Sequence, residues 1–134
     1  VTHIELTTPR TLPPTNGYSQ VARVAAGSRL VWTSGQVPIA GNGEPAPAGD
    51  WAAQTRQAMQ NVGAALAAAG ATWADVFKLT FYVVDTSALP TVRAVRDEFV
   101  DVDRPPTSTL VQVAGLFRPD LLIEIEAVAA VAED

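Results

Sequence analysis

Between residues 50 and 70 the sequence alternates on a helical period: Thr55, Met59, Val62, Leu66 and Ala69 recur every three or four positions, while Gln54, Gln57, Gln60 and Asn61 fall between them. Asp50 stands where an N-cap belongs and Gly70 where a helix closes, so the spacing predicts one helix with a single buried stripe. A second helix is predicted over about 87–100, with Pro90 tolerated in its first turn and Leu89, Val92, Val95 and Phe99 inward. Elsewhere the period is two. Strands are predicted at about 20–26 and 30–34, joined as a hairpin through Gly27 and Ser28, and at about 76–84, 108–114 and 121–131. Thr72 and Asp75 have capping-box spacing just before the third of these, and the Gly- and Pro-rich stretch 40–49 reads as a surface loop.

This order gives an α+β sheet whose two helices cover only one face. On the strand at 76–84, Phe77, Leu79, Phe81 and Val83 form one row, and Val76, Lys78, Thr80, Tyr82 and Val84 the other. The last strand alternates Leu121, Ile123, Ile125 and Ala127 with Leu122, Glu124, Glu126 and Val128. The second row is too apolar for open water and too polar for a dry core, and no element remains to cover it. Copies of the same chain in a closed ring are the economical cover, and seams of that kind form concave pockets with a few polar groups.

Composition narrows the chemistry. The chain has 134 residues, 48% of them hydrophobic, which suits a single domain over 1–134 with its own core. No apolar run reaches the roughly 20 residues that span a bilayer, and the start lacks the pattern of a signal peptide, so a cytoplasmic protein with no membrane partner is expected. Zero cysteines and one histidine leave no thiolate nucleophile, no Cys- or His-based metal cluster and no expected cofactor; His3, near the chain end, is expected to be solvated. Nine basic against 14 acidic residues give a net charge of −5. Only Arg93, Arg96 and Arg104 cluster, which is no basic stripe for a nucleic acid.

The stretch RPPTSTLVQV, residues 104–113, fixes the backbone with two prolines and then sets Thr107, Ser108 and Thr109 at the start of a strand. Such a place either lines a ligand site or caps stray amides with hydroxyls. Ser34, before Gly35, has no histidine or lysine to activate it as a nucleophile, and Ser108 has the same limitation.

Five blocks in order, YSQ (18–20), LVWTSGQVP (30–38), AAQTRQAMQNVGAALAAAGATWADVFKLTFYVVD (52–85), STLVQVAGL (108–116) and IEIEAVA (123–129), resemble the reactive-intermediate deaminase family, also called RidA/YjgF or L-PSP endoribonuclease-like. The resemblance covers nearly the whole chain. It implies a chorismate-mutase-like α+β fold, a homotrimer with clefts between subunits, and hydrolysis of a 2-imino or 2-enamino acid to a 2-oxo acid and ammonia. The family's cleft tyrosine matches Tyr18, its SGQ serine matches Ser34, and its water-positioning glutamate matches Glu124. The arginine that grips the substrate carboxylate does not match: its place falls on Ser108, beside Thr107. Where the deaminating members carry a cleft asparagine on the second helix, this chain has Arg93. It lies roughly 100° round the helix from Val92, where it can reach a seam or solvent. Arg104 can supply charge only if its loop folds inward. Two function classes follow, a hydrolase or deaminase of a small carbonyl, imine or enamine compound, expected to be a carboxylate, and a trimeric ligand-binding or regulatory protein without turnover. An endoribonuclease fits less well, for want of histidine chemistry and a basic surface.

Overall fold

The computed structural model describes residues 2–133. Its elements run β1 (Ile4–Thr7), β2 (Val21–Val24), β3 (Arg29–Trp32), α1 (Trp51–Ala68), β4 (Val76–Val83), α2 (Leu89–Arg96), β5 (Thr107–Gln112) and β6 (Ile123–Val131), with 3₁₀ turns at Trp73–Asp75 and Thr86–Ala88. A four-stranded sheet has the order β3-β6-β4-β5, antiparallel except for the parallel β4–β5 pair, and β1 and β2 form a separate antiparallel ribbon. Both helices lie on one face of the main sheet, the α+β arrangement expected from the periodicity.

α1 starts where Asp50 Oδ1 accepts from the Ala53 amide at 2.9 Å. It ends at Gly70, whose φ of +77° brings the Ala71 amide onto the Leu66 carbonyl at 2.9 Å. The stripe Thr55, Met59, Val62 and Leu66 is fully buried against Leu79, Phe81, Ile123, Ile125 and Ala127 of the sheet. Each large apolar side chain so buried contributes about 1.5–3 kcal/mol.

Several expectations are corrected. The segments at 21–24 and 29–32 do not pair as a hairpin: β2 pairs with β1 and β3 with β6. The turn at Ala25–Ser28, held by the Ser28 hydroxyl on the Ala25 carbonyl at 2.8 Å, carries the chain from the ribbon into the main sheet. β1 is four residues long, too short for alternation to announce it. His3 is not solvated; its side chain is 12% exposed, with Nε2 2.6 Å from the Ala130 carbonyl oxygen and 3.9 Å from Asp75 Oδ1, so it ties the chain start to β6.

In β4 a bulge between Val76 and Lys78 breaks the alternation, burying Val76 and leaving Phe77 only half-buried. α2 is shorter than predicted because the chain beyond Arg96 tightens into turns, Glu98 N to Val95 O at 3.0 Å and Phe99 N to Arg96 O at 2.9 Å. Gln54, placed on the polar side by its chemistry, is fully buried. Its amide donates to the Asp120 carbonyl at 3.0 Å and accepts from the Leu122 amide at 2.8 Å, fastening the turn before β6 to α1.

No helix among the described residues is long and apolar enough to cross a membrane. The sheet face away from the helices carries half-buried Thr80, Tyr82, Glu124, Glu126 and Val128, and Trp32 stands 66% exposed on the edge strand, paired with Val128.

Candidate functional site

The two prolines of RPPTST act through their carbonyls. Pro105 O accepts from the Ser19 hydroxyl at 2.7 Å and Pro106 O from the Ser19 amide at 3.1 Å. Ser19 is thereby buried and bridged in parallel to Thr107. Tyr18, next in chain, is held at the start of β5 beside Ser108. Thr107 spends its hydroxyl on the Phe77 carbonyl at 2.6 Å, and Thr109 accepts from Lys78 Nζ at 2.6 Å on the open face. Only Ser108 of the three hydroxyls turns toward the helices, since it pairs with buried Leu79.

A cavity of about 230 Å³ opens between α2 and β5. Tyr18, Ser108, Arg93 and Arg96 supply its polar groups, and Phe81, Leu89, Val92 and Leu110 its apolar walls. Arg93 makes no ion pair or hydrogen bond to another described residue, whereas Arg96, one turn on, is nearly buried and contacts Asp97 Oδ1 at 2.9 Å. Arg104 does not reach this cavity. Its guanidinium donates to the Ile4 carbonyl, and it lines a different hollow with Trp73 and Phe99.

Glu124 and Ser34 lie elsewhere. Glu124 is paired with Tyr82 on the open face of the sheet, whereas Ser108, paired with Leu79, is on the helix face. Gln36 and Ile125 exchange backbone hydrogen bonds at 2.7 and 3.0 Å, which brings the SGQ turn alongside β6. A Cβ at Gly35 would stand 2.0 Å from Glu124 Oε2, so the carboxylate rests directly on the glycine backbone, next to exposed Ser34. Close approach of a side chain, not an unusual backbone angle, is what this glycine allows. On the same face Tyr82 Oη donates to Glu126 Oε1 at 2.5 Å. That hydrogen bond, then partial burial and the neighbouring carboxylates, raises the Tyr82 pKa above its ordinary value.

The predicted residues thus fall into two groups in one chain. Tyr18, Arg93 and Ser108 share the α2–β5 cavity; Ser34 and Glu124 share the open face; Thr107 sits between them as a backbone tie. Arg96 is the residue that sequence reasoning passed over. Its position three after Arg93 was a signal that both guanidinium groups could share a face. Among the described residues no group of three or more His, Cys, Asp or Glu side chains could hold a metal ion.

The sequence model of the family described as Endoribonuclease L-PSP matches residues 8–131. The chain is 39% identical over 102 residues to the 2-iminobutanoate/2-iminopropanoate deaminase of Escherichia coli strain K12, covering 75% of this chain and 78% of that one. It superimposes on YyfB of Yersinia pestis, a protein of the conserved Rid family, with a TM-score of 0.85 at 34% identity, over 96% of this chain and 99% of that one. Against Escherichia coli TdcF with bound serine the TM-score is 0.71, again at 34% identity, with 96% and 99% covered. With its order of elements, its uncovered sheet face and these matches, the chain belongs to the RidA/YjgF, or L-PSP endoribonuclease, family.

Proposed function

We propose that the protein is a cytoplasmic homotrimer that binds a small carboxylate-bearing imine, enamine or carbonyl compound in clefts between its copies and hydrolyses it without a cofactor or metal. The observation that carries this reading is the separation of the two residue groups onto opposite faces of one sheet. Neither group suffices alone. A second copy covering the open face brings Glu124 and Ser34 of one chain to the Tyr18, Ser108 and Arg93 cavity of another. Burial of the semi-apolar face, with Trp32 and Val128, supplies the association energy.

In such a cleft the ligand's carboxylate pairs with Arg93, in place of the family arginine whose position Ser108 occupies. Glu124 takes a proton from water as the oxygen attacks the C=N carbon, then passes it to the nitrogen. The carbinolamine so formed gives its hydroxyl proton through the same carboxylate to the nitrogen as the C=O bond forms and the C–N bond breaks, so ammonia leaves and a 2-oxo acid remains. The deaminase and the serine-bound relative, both handling amino-acid-like carboxylates by name, favour this substrate class. No basic stripe favours nucleic acid.

The hydroxyl of Ser108 supplies no charge, which favours weak turnover of short 2-imino acids. The test generates 2-iminopropanoate with an amino-acid oxidase and follows its loss. Wild type is expected to be slow, Ser108→Arg at least about tenfold faster, a gain worth about 1.4 kcal/mol, and Glu124→Gln in that background inactive. Activity indifferent to Glu124 refutes the mechanism. If neither wild type nor Ser108→Arg hydrolyses any imine yet both bind carboxylates, the protein is a trimeric binding or regulatory protein.

A further inference from the structure

The cavity between α2 and β5 is more cationic than a site for one carboxylate requires. The whole chain carries a net charge of −5, yet this cavity is lined by two arginines and no acidic residue. Arg96 is only 6% exposed. Its Nε and Nη2 both approach a single oxygen of Asp97, at 3.0 and 2.9 Å, and Asp97 is itself 43% exposed. Nη1 makes no hydrogen bond to another described residue, and among the described residues no buried side-chain nitrogen is left without a partner. Nη1 therefore meets accessible space, and the accessible space that Arg96 lines is the cavity.

The position of this guanidinium is built. Gly17 has a φ of +82°, and a Cβ there would lie 2.0 Å from Arg96 Nη2 and 2.9 Å from Cζ, so the guanidinium packs on the Gly17 backbone immediately before Tyr18. Any other residue at 17 is opposed both by the left-handed backbone and by the guanidinium. Arg93, one turn away on α2, brings the second charge to the same space, where it has no partner among the described residues. Side chains three apart on a helix have their Cβ atoms about 5–6 Å from one another, a spacing that a short diacid spans. Between the charges, Val92, Leu89 and Leu110 offer an apolar wall for the connecting carbons.

We propose that Arg93 and Arg96 together form a two-guanidinium site that selects a short dicarboxylate over a monocarboxylate, with Arg96 the buried anchor and Arg93 the second clamp. This rests on the reading that the α2–β5 cavity holds the ligand. It makes the ligand an oxo, imino or enamino acid with a second carboxylate, not the simple α-imino monoacid. Each guanidinium–carboxylate pair is a charge-assisted hydrogen bond in a partly desolvated place, so the second carboxylate adds affinity only if both arginines point into one space.

The experiment compares succinate with butyrate, equal in chain length and differing by one carboxylate, by calorimetry on the intact protein. Succinate is expected to bind wild type at least about tenfold more tightly than butyrate. Arg93→Gln should abolish that preference while retaining weak binding of both acids, and Arg96→Lys, which keeps the charge and loses the planar fork, should weaken both. Because a buried arginine is a risk to folding, a second measurement uses wild type alone. In a titration with succinate, the side-chain Nε–Hε resonances of Arg93 and Arg96 are expected to shift together, ahead of those of the other arginines. Equal affinity for the two acids, or shifts that spare Arg96, overturns the proposal. Loss of the dicarboxylate preference with Glu124-dependent hydrolysis intact sinks this inference alone. Dicarboxylate binding without any hydrolysis sinks the deaminase reading alone.

Discussion

Gln54 offers the sharpest check on how the site is held in place. It is fully buried on α1, its amide nitrogen donating to Asp120 O at 3.0 Å and to Pro47 O at 3.3 Å, its oxygen accepting from Leu122 N at 2.8 Å. Leu122 is two residues before Glu124 and Asp120 closes the turn that delivers β6, so one side chain fixes where the strand of the candidate acid–base residue begins. Gln54→Leu keeps the volume close and removes both functions. The Asp120 carbonyl and the Leu122 amide then lose these partners at about 1–3 kcal/mol each, while the Pro47 carbonyl keeps the Asp50 amide at 3.2 Å, and the gain from an apolar side chain offsets about 1 kcal/mol, leaving a net loss of about 1–5 kcal/mol. For a chain of this size that corresponds to a fall in melting temperature on the order of 10 °C, read at fixed protein concentration because association contributes to stability. Amide hydrogen exchange at Leu122 should accelerate in the variant. Gln54→Glu gives a second reading with a definite sign. Its carboxylate would face the Asp120 carbonyl without water, so its folded pKa lies above its unfolded value. Stability is then retained in acid, where both states are protonated, and is lost as pH rises above the unfolded carboxylate pKa. If Gln54→Leu is as stable as wild type, with Leu122 exchange unchanged, the hydrogen bonds assigned to Gln54 do not hold β6 and the reasoning is wrong.

Three further outcomes are expected. Gly35→Ala places a methyl 2.0 Å from Glu124 Oε2, so the carboxylate must move by more than about 1 Å; the fold should survive, because a flexible side-chain end gives way, while hydrolysis in the Ser108→Arg background falls about a hundredfold, and unchanged rates would separate Glu124 from the chemistry. Phenolate formation at Tyr82, followed by ultraviolet absorbance, should begin at higher pH than for an ordinary tyrosine and move back in Glu126→Gln. Since the folded pKa is the raised one, the stability this contact contributes is present below the unfolded value near 10.0 and lost as pH rises through the folded one; an unmoved titration in Glu126→Gln contradicts it. Light scattering should give about 42 kDa, three times the 14.1 kDa chain, and a monodisperse monomer at micromolar concentration would rule out a cleft shared between copies.

The parts of this fold legible in the sequence are those governed by neighbours a few residues apart. Asp50, the stripe from Thr55 to Leu66 and Gly70 define α1 through a period and two caps, and the alternation Leu121, Ile123, Ile125, Ala127 defines the buried face of β6, because both signals are local consequences of backbone geometry. The α+β arrangement with one uncovered sheet face follows from counting such elements. Partners distant in sequence were decided only by tertiary packing. β2 pairs with β1 instead of β3, since a tight turn permits a hairpin without requiring one, and competing pairings over long separations leave no local trace. The bulge that leaves Phe77 half-buried and buries Val76 is likewise set by β6. Gln54 looked like surface because its type usually is; the carbonyl of Asp120 and the amide of Leu122, 66 and 68 positions away, made it a core residue. The site divides in the same way. The family resemblance singled out Tyr18, Ser34, Ser108 and Glu124, but the pleat puts Ser108 and Glu124 on opposite faces, and the left-handed turn at Gly17 seats Arg96 in the cavity, because only the folded chain brings residues 17 and 96 together.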